Sequence, residues 1–159
     1  MKLTVGPASL PIVAEHISKH ARSEDKLEWE RGLGVPFEES FSSALAADKQ
    51  AVAMFDSNGT PVCVWGGFVH NPYGLYVWLV ATRAVDKLNL SAHRHLKNEL
   101  NKLHKRCDTL VAVADSENVV HHRWLTWLGF KKQEVVHIQP RPHSVPHPFI
   151  VFRRTNTCA

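Results

Sequence analysis

The stretch that decides the fold is NVVHHRWLTWLGF, at residues 118–130. It begins with an asparagine shortly after a strand-like apolar run at 110–114, and it ends in Leu-Gly-Phe. Its pattern predicts one amphipathic helix from Asn118 to Leu128, for which Gly129 is a natural C-terminal stop. A buried strand followed by a helix and a helix-ending glycine is typical of an α/β fold.

A second helix precedes this stretch. The segment from Leu90 or Ser91 to Arg106 carries apolar residues at helical spacing, and its basic residues lie off that stripe. It separates two runs that are typical of buried strands, 75–81 and 109–114. A crossover helix between two strands of one sheet makes those strands parallel.

The first half of the chain predicts a short strand at 3–5 and three helices. We expect Ser9 to cap the first helix, the second to open at 23–25 and stop near 32–34, and the third to start near Pro36.

Four further strands are predicted to be antiparallel. The Asn-Gly pair at 58–59 favours a hairpin between the runs 51–55 and 62–65. We expect a bulge or bend at 66–67, a second turn at 70–74 and two last strands. The last strands are predicted at 135–138 and 149–152.

Length and composition indicate an ordinary globular chain. The 159 residues suit a single domain, 1–159, and 44% hydrophobic against 21% charged residues excludes a disordered protein. No apolar run is long enough to span a bilayer, and the N-terminus lacks the apolar core of a signal peptide, so we expect cytoplasmic synthesis. The formal charge of +4 favours an anionic partner: a nucleotide cofactor, a nucleic acid or an acidic protein face.

The residues that commonly bind metals do not form a recognisable motif. The three cysteines are widely spaced without a Cys-x-x-Cys pair, and the 11 histidines form no His-Glu-x-x-His motif. We therefore predict neither a disulfide scaffold nor a metal site.

The order of elements and the 118–130 stretch resemble the Gcn5-related N-acetyltransferases (the GNAT fold). The resemblance implies a mixed α/β (α+β) domain with a central sheet of about seven strands, splayed between strands four and five and flanked by helices. It also implies that acetyl-CoA binds in the splay, with its pantetheine arm bonded to strand backbone. Its pyrophosphate would meet amides at the next helix N-terminus, which favours anions.

The resemblance assigns the cofactor to the ends of these elements. The cofactor-binding positions would be Val80, Ala81, Thr82, Arg83, Lys87, Asn89, Leu90, Ser91 and Asn118. Two alternatives stay open. An ordinary helix capped by Asn89 or Ser91, with solvated basic residues, is favoured over a phosphate cradle. Asn118 would equally well bond the pantetheine arm or cap its own helix.

Two departures from the family pattern concern the chemistry. The segment 82–92 has no glycine where the family uses Q/R-x-x-G-x-G/A, and Leu125 stands where the family's tyrosine acid usually lies. Leucine cannot protonate a departing thiolate, and the run 75–81 carries no carboxylate to act as a base. His121 and Tyr76 are then the candidate catalytic residues, and His121 is preferred because a neutral imidazole can relay a proton near pH 7.

A narrower resemblance covers about residues 78–153. Its marks are a Trp-Leu-Val strand, a glycine-poor loop, a basic helix and a set in the last helix: Asn118, His121, Arg123, Leu125 and Gly129. These features are similar to the acetyltransferase-like internal virion protein A family of short-tailed bacteriophages. That resemblance implies a protein made in the host cytoplasm, associated with the virion and needed to build infectious particles, with no established enzyme activity.

Three functions follow from these patterns. The preferred one is an assembly or interaction factor with a phage or host protein partner and a degenerate acyl-CoA site. The alternative is an active acetyl-CoA-dependent N-acetyltransferase that modifies a host protein or a small amine. Nucleic-acid binding through 93–106 is not expected, because the basic residues there form no continuous stripe with interleaved aromatics. The oligomeric state is open.

Overall fold

A computed structural model describes residues 2–70 and 74–156, except the side chains of Val69 and His70. The strands are β1 (Thr4–Pro7), β2 (Val52–Phe55), β3 (Pro61–His70), β4 (Gly74–Ala81), β5 (Thr109–Asp115), β6 (Lys131–Ile138) and β7 (His147–Thr155). The helices are α1 (Pro11–His20), α2 (Ser23–Leu33), α3 (Phe37–Ala47), α4 (Leu90–Leu103) and α5 (Val119–Trp127), with a 3-10 helix at Arg83–Lys87. The predicted order of strands and helices is confirmed.

The seven strands form one mixed sheet in the order β1-β2-β3-β4-β5-β7-β6. Antiparallel pairs join β1 to β2, β2 to β3, β5 to β7 and β6 to β7. β4 and β5 are parallel, as the crossover helix predicted, and their described pairing is confined to Leu75 with Leu110 and Tyr76 with Val111. The splay between strands four and five stays a prediction.

The chain divides into two compact units, and the first comprises residues 1–67 and 78–88. Its centre is an aromatic cluster in which the Trp29 ring meets the rings of Phe37, Phe41 and Trp78 edge-on, at centroid distances of 5.8, 6.1 and 5.6 Å. Helix α2 ends at Leu33, and the next residue, Gly34, has a φ of +73°, the left-handed conformation that glycine adopts without steric cost.

The second unit comprises residues 68–77 and 89–159. Helix α4 buries Ala92, Leu96 and Leu100, which recur every four residues and so lie on one face. Gly129 follows α5 with a φ of +92°, which confirms its predicted role as the stop of that helix.

Three local predictions were wrong. Ser9 does not cap α1: the helix starts at Pro11, whose missing N–H removes one donor that a cap would satisfy. The first hairpin has a register shift between Met54 and Phe55 that the sequence did not predict, while the bulge or bend at 66–67 stays a prediction. Helix α4 ends at Leu103, three residues before the predicted end.

Strand β6 begins at Lys131, four residues before the predicted start at 135. Its first residues are exposed and polar and have no apolar pattern, and their pairing with β7 makes them a strand. The 3-10 helix at 83–87 was not predicted. Of the predicted 70–74 turn, residues 71–73 lie outside the described part of the chain.

No helix in the described ranges combines the length and the apolar character that crossing a lipid bilayer requires. The single-domain organisation of residues 1–159 stays a prediction.

Two of the cysteines are expected to differ sharply in reactivity. Cys63 is fully buried in β3, and burial raises the pKa of its thiol to about 12, whereas Cys107 is partly exposed. Because only the thiolate reacts, a soluble alkylating reagent at pH 8 should label Cys107 and leave Cys63 unmodified in the native protein. Peptide mass spectrometry on a Cys158→Ser background measures both rates. Guanidinium should make the two sites react alike, and equal native rates would contradict the burial of Cys63.

Candidate functional site

At the end of β4, backbone groups on both edges of the strand already have hydrogen-bond partners. The backbone N–H of Thr82 donates to the carbonyl of Val62 in β3 over 2.9 Å. Because successive residues of a strand point to opposite edges, the N–H and carbonyl of Ala81 point away from β3. There the N–H of Ala81 donates to Asp25 Oδ2 over 3.0 Å, and its carbonyl accepts from the N–H of Arg22 over 2.8 Å. Arg22 and Asp25, at the start of α2, thus bond to both backbone groups that Ala81 presents on this edge of β4.

A buried ion pair holds that contact in place. Arg22 Nη2 donates to Asp25 Oδ1 over 3.0 Å, and each side chain is only 4% exposed. An isolated β-bridge between Ala21 and Thr82 adds a backbone link beside it. Val80 and Ala81, two of the predicted cofactor positions, are themselves buried. The backbone N–H of Ala81 therefore already has a charged hydrogen-bond acceptor within its own chain.

The segment after β4 folds as a capped 3-10 helix rather than as a glycine loop. The hydroxyl of Thr82 accepts from the N–H of Ala84 over 3.3 Å. The exposed Arg83 guanidinium donates to both carboxylate oxygens of Glu24, each over 2.9 Å. A backbone hydrogen bond, and then that guanidinium, hold the pKa of the Glu24 carboxyl below its usual value although desolvation opposes them. Arg83 therefore has a carboxylate partner, while Lys87 is exposed.

The N-terminus of α4 is capped by its own asparagine. Asn89 Oδ1 accepts from the N–H of Ser91 over 3.0 Å and from that of Ala92 over 3.3 Å. Leu90 and Ser91 are exposed. Asn89 thus makes the contacts of the ordinary capped helix that the sequence favoured. Cofactor binding by Asn89, Leu90 and Ser91 stays a prediction.

Asn118 also acts as a helix cap. Its Oδ1 accepts from the N–H of His121 over 3.4 Å, its N–H donates to the carbonyl of Asp115 over 3.0 Å, and the residue is 3% exposed. His121 lies in the first turn of α5 and is half-buried. The contact of Asn118 with a pantetheine arm stays a prediction.

The position of the family's acid is apolar and buried. Leu125 is 5% exposed, and its carbonyl accepts from the N–H of Phe130. Tyr76 is half-buried in the paired start of β4, opposite Val111. Catalytic roles for His121 and Tyr76 stay predictions.

Sequence reasoning missed one polar cluster at the end of β5. His147 Nε2 donates to Asp115 Oδ1 over 2.7 Å, and the same oxygen accepts from the N–H of Glu117 over 2.9 Å. His122 Nε2 donates to the backbone carbonyl of Asp115 over 2.7 Å. Asp115 and His147 are 32 residues apart, and only the pairing of β5 with β7, which sets Asp115 opposite Phe149, brings them together. No motif in the sequence signals that register.

Comparison with known proteins identifies the fold. No family model matches the chain, and no curated protein matches it. Among solved structures it is similar to an acetyltransferase of the GNAT family from Bacillus anthracis, with a TM-score of 0.71 and 9% identity over 98% of this chain and 95% of that one.

Two further solved structures show the same likeness. The ribosomal-protein-S18-alanine N-acetyltransferase from Escherichia coli has a TM-score of 0.67 and 16% identity over 99% of this chain and 96% of that chain. The yncA structure from Salmonella typhimurium, which contains acetyl-CoA, has a TM-score of 0.68 and 10% identity over 98% and 94%. The protein therefore has the GNAT acetyltransferase fold that its sequence predicted. At these identities the likeness establishes the fold alone.

Proposed function

We propose that this protein is an acetyltransferase-fold assembly or interaction factor with a degenerate acyl-CoA site. One observation carries the proposal: backbone donors at the positions where the resemblance puts the cofactor are already bonded to side chains of the protein itself. The N–H of Ala81 donates to Asp25, and those of Ser91 and Ala92 donate to Asn89. A cofactor would have to displace these partners before it could bind there.

The two sets of contacts differ in how hard they are to displace. A helix cap such as Asn89 contributes about 1 kcal/mol, which a pyrophosphate could readily replace. Moving the Asp25 carboxylate away from Ala81 would disturb its buried pair with Arg22, at a cost of about 3–5 kcal/mol. That cost corresponds to a loss of affinity of about 150- to 5,000-fold. The contact of Asp25 with Ala81 is therefore the decisive obstacle.

The chemistry of acyl transfer also lacks its usual acid. The departing thiolate needs a proton donor within hydrogen-bond reach, and the buried Leu125 side chain has no proton to give. We propose that the fold is retained as a scaffold for a protein partner, of phage or host origin. The resemblance of residues 78–153 to the phage internal virion proteins supports synthesis in the host cytoplasm and association with the virion.

Calorimetric titration with acetyl-CoA tests this proposal. We expect no saturable heat up to about 1 mM ligand, because binding would require the buried pair to open. Coenzyme A and ADP serve as parallel ligands, since ADP lacks the pantetheine arm and an equal affinity for ADP would indicate only anion binding to the basic surface. Saturable binding of acetyl-CoA with a Kd of about 10 μM would contradict the proposal.

One observation favours the alternative of an active N-acetyltransferase: the half-buried imidazole of His121 lies in the first turn of α5, beside the cap residue Asn118. An imidazole titrates near neutral pH and can relay a proton. This alternative requires that free thiol be released from acetyl-CoA when amines are added, and that a His121→Ala variant lose the release. His137→Ala, on exposed β6, is the matched control. The absence of thiol release removes the alternative.

A further inference from the structure

Three side chains of the metal-binding types converge at the end of β5. One ligand atom each from Asp115, Glu117 and His147 lies within 4.8 Å of the other two. Asp115 is the last residue of β5 and His147 the first of β7, and these two strands pair without interruption from Thr109 to Asp115. The ligands thus stand on or next to regular backbone, which holds their positions more precisely than loops do.

The cluster has a buried base and an open side. The side chain of Asp115 is 3% exposed, that of His147 is 21% exposed, and Glu117 is exposed. His122 donates to the backbone carbonyl of Asp115, and the ring of Phe149 meets that of His147 edge-on at 5.6 Å. His122 thus holds the backbone of Asp115, the N–H of Glu117 holds its carboxylate and Phe149 packs against the imidazole, while an ion can approach from solvent past Glu117.

We propose that Asp115, Glu117 and His147 bind a divalent transition-metal ion, with Zn²⁺ as the best fit. Zn²⁺ takes imidazole nitrogen and carboxylate oxygen together at about 2.0–2.2 Å in tetrahedral geometry. Mg²⁺ and Ca²⁺ prefer ligand sets made of oxygen alone. The imidazole of His147 therefore distinguishes this cluster from an ordinary group of surface carboxylates.

The distances require only a small adjustment. Ligand atoms around a tetrahedral zinc ion are about 3.3 Å apart, so the 2.7 Å contact of His147 with Asp115 would open by about half an ångström. Because Nε2 would bind zinc through its lone pair, the proton that it donates to Asp115 would pass to solvent and the neutral ring would carry its proton on Nδ1. Three protein ligands would leave the fourth position to water, which is the arrangement of open zinc sites. No part of this inference depends on whether acetyl-CoA binds.

Zinc titration of the chelator-treated full chain tests the inference. Calorimetry should show one site with a Kd of about 1 μM or lower, and a thermal shift to higher Tm when zinc is added. His147→Ala and Glu117→Gln should each weaken that site at least about tenfold. His143→Ala, an exposed histidine of the β6–β7 loop, is the matched control and should leave it unchanged.

Three results would overturn the inference. The first is that zinc does not bind at concentrations below about 100 μM, the second is an equal affinity for magnesium, and the third is a zinc affinity that His147→Ala leaves unchanged. Glu117 is exposed, so its variant should fold normally and decide the matter even if His147→Ala is unstable. Circular dichroism of both variants verifies their folding.

Discussion

Replacing Asp25 with alanine is expected to lower the free energy of unfolding by about 3–5 kcal/mol. The substitution removes the buried carboxylate that lies 3.0 Å from the Arg22 guanidinium, and it removes the acceptor of the Ala81 N–H. Small domains are stable by only about 5–15 kcal/mol, so the variant should unfold at a much lower urea concentration. Urea denaturation followed by circular dichroism measures the loss.

The adjacent residue supplies the control. Glu24 is also acidic, lies in the same first turn of α2 and also bonds to an arginine, but its pair with Arg83 is exposed to solvent. Glu24→Ala should therefore cost less than about 1 kcal/mol. Equal losses for the two variants would contradict the role assigned to the buried pair at the end of β4.

Replacing Gly66 with alanine is expected to destabilise the protein by about 3 kcal/mol. A Cβ atom at this position would lie 2.3 Å from Asp48 Oδ2 and 2.6 Å from the Trp78 ring. Neither neighbour can move freely: Asp48 accepts from the N–H of Gly67 over 2.8 Å, and Trp78 meets the ring of Trp29. Thermal and urea denaturation should both show the loss.

Gly59→Ala is the matched control for this glycine. Gly59 has a φ of +76°, but beyond its chain neighbours a Cβ atom there would have no atom of the described residues within 4 Å. Its substitution therefore adds backbone strain without a clash, and its cost should be about 1 kcal/mol. A Gly66→Ala variant as stable as the Gly59→Ala variant would show that the aromatic cluster is more loosely packed than described.

The fold could be predicted because its signals are local. Helix α4 repeats its apolar residues at helical spacing, the Asn-Gly pair at 58–59 specifies a hairpin turn, and Gly129 ends the last helix where a positive φ is required. Each signal lies within a few residues of the element that it defines. The polar start of β6 gave no such signal, since its pairing with β7 decides its structure.

The site could not be predicted to the same extent, because its contacts join distant parts of the chain. Asp25 and Ala81 are 56 residues apart, and Asp115 and His147 are 32 apart. Hydrophobic periodicity places elements on a sheet but does not say which side chain reaches which backbone group. Asn89 was one of two predicted caps, with Ser91, because a cap contact spans only two or three residues.

Amide chemical shifts of the ¹⁵N-labelled protein during addition of acetyl-CoA test the central claim most directly. We expect the resonance of Ala81 to keep its position up to about 1 mM ligand, because Asp25 holds that donor. A saturable shift of the Ala81 amide at micromolar acetyl-CoA would contradict this expectation and identify a working acyl-CoA site.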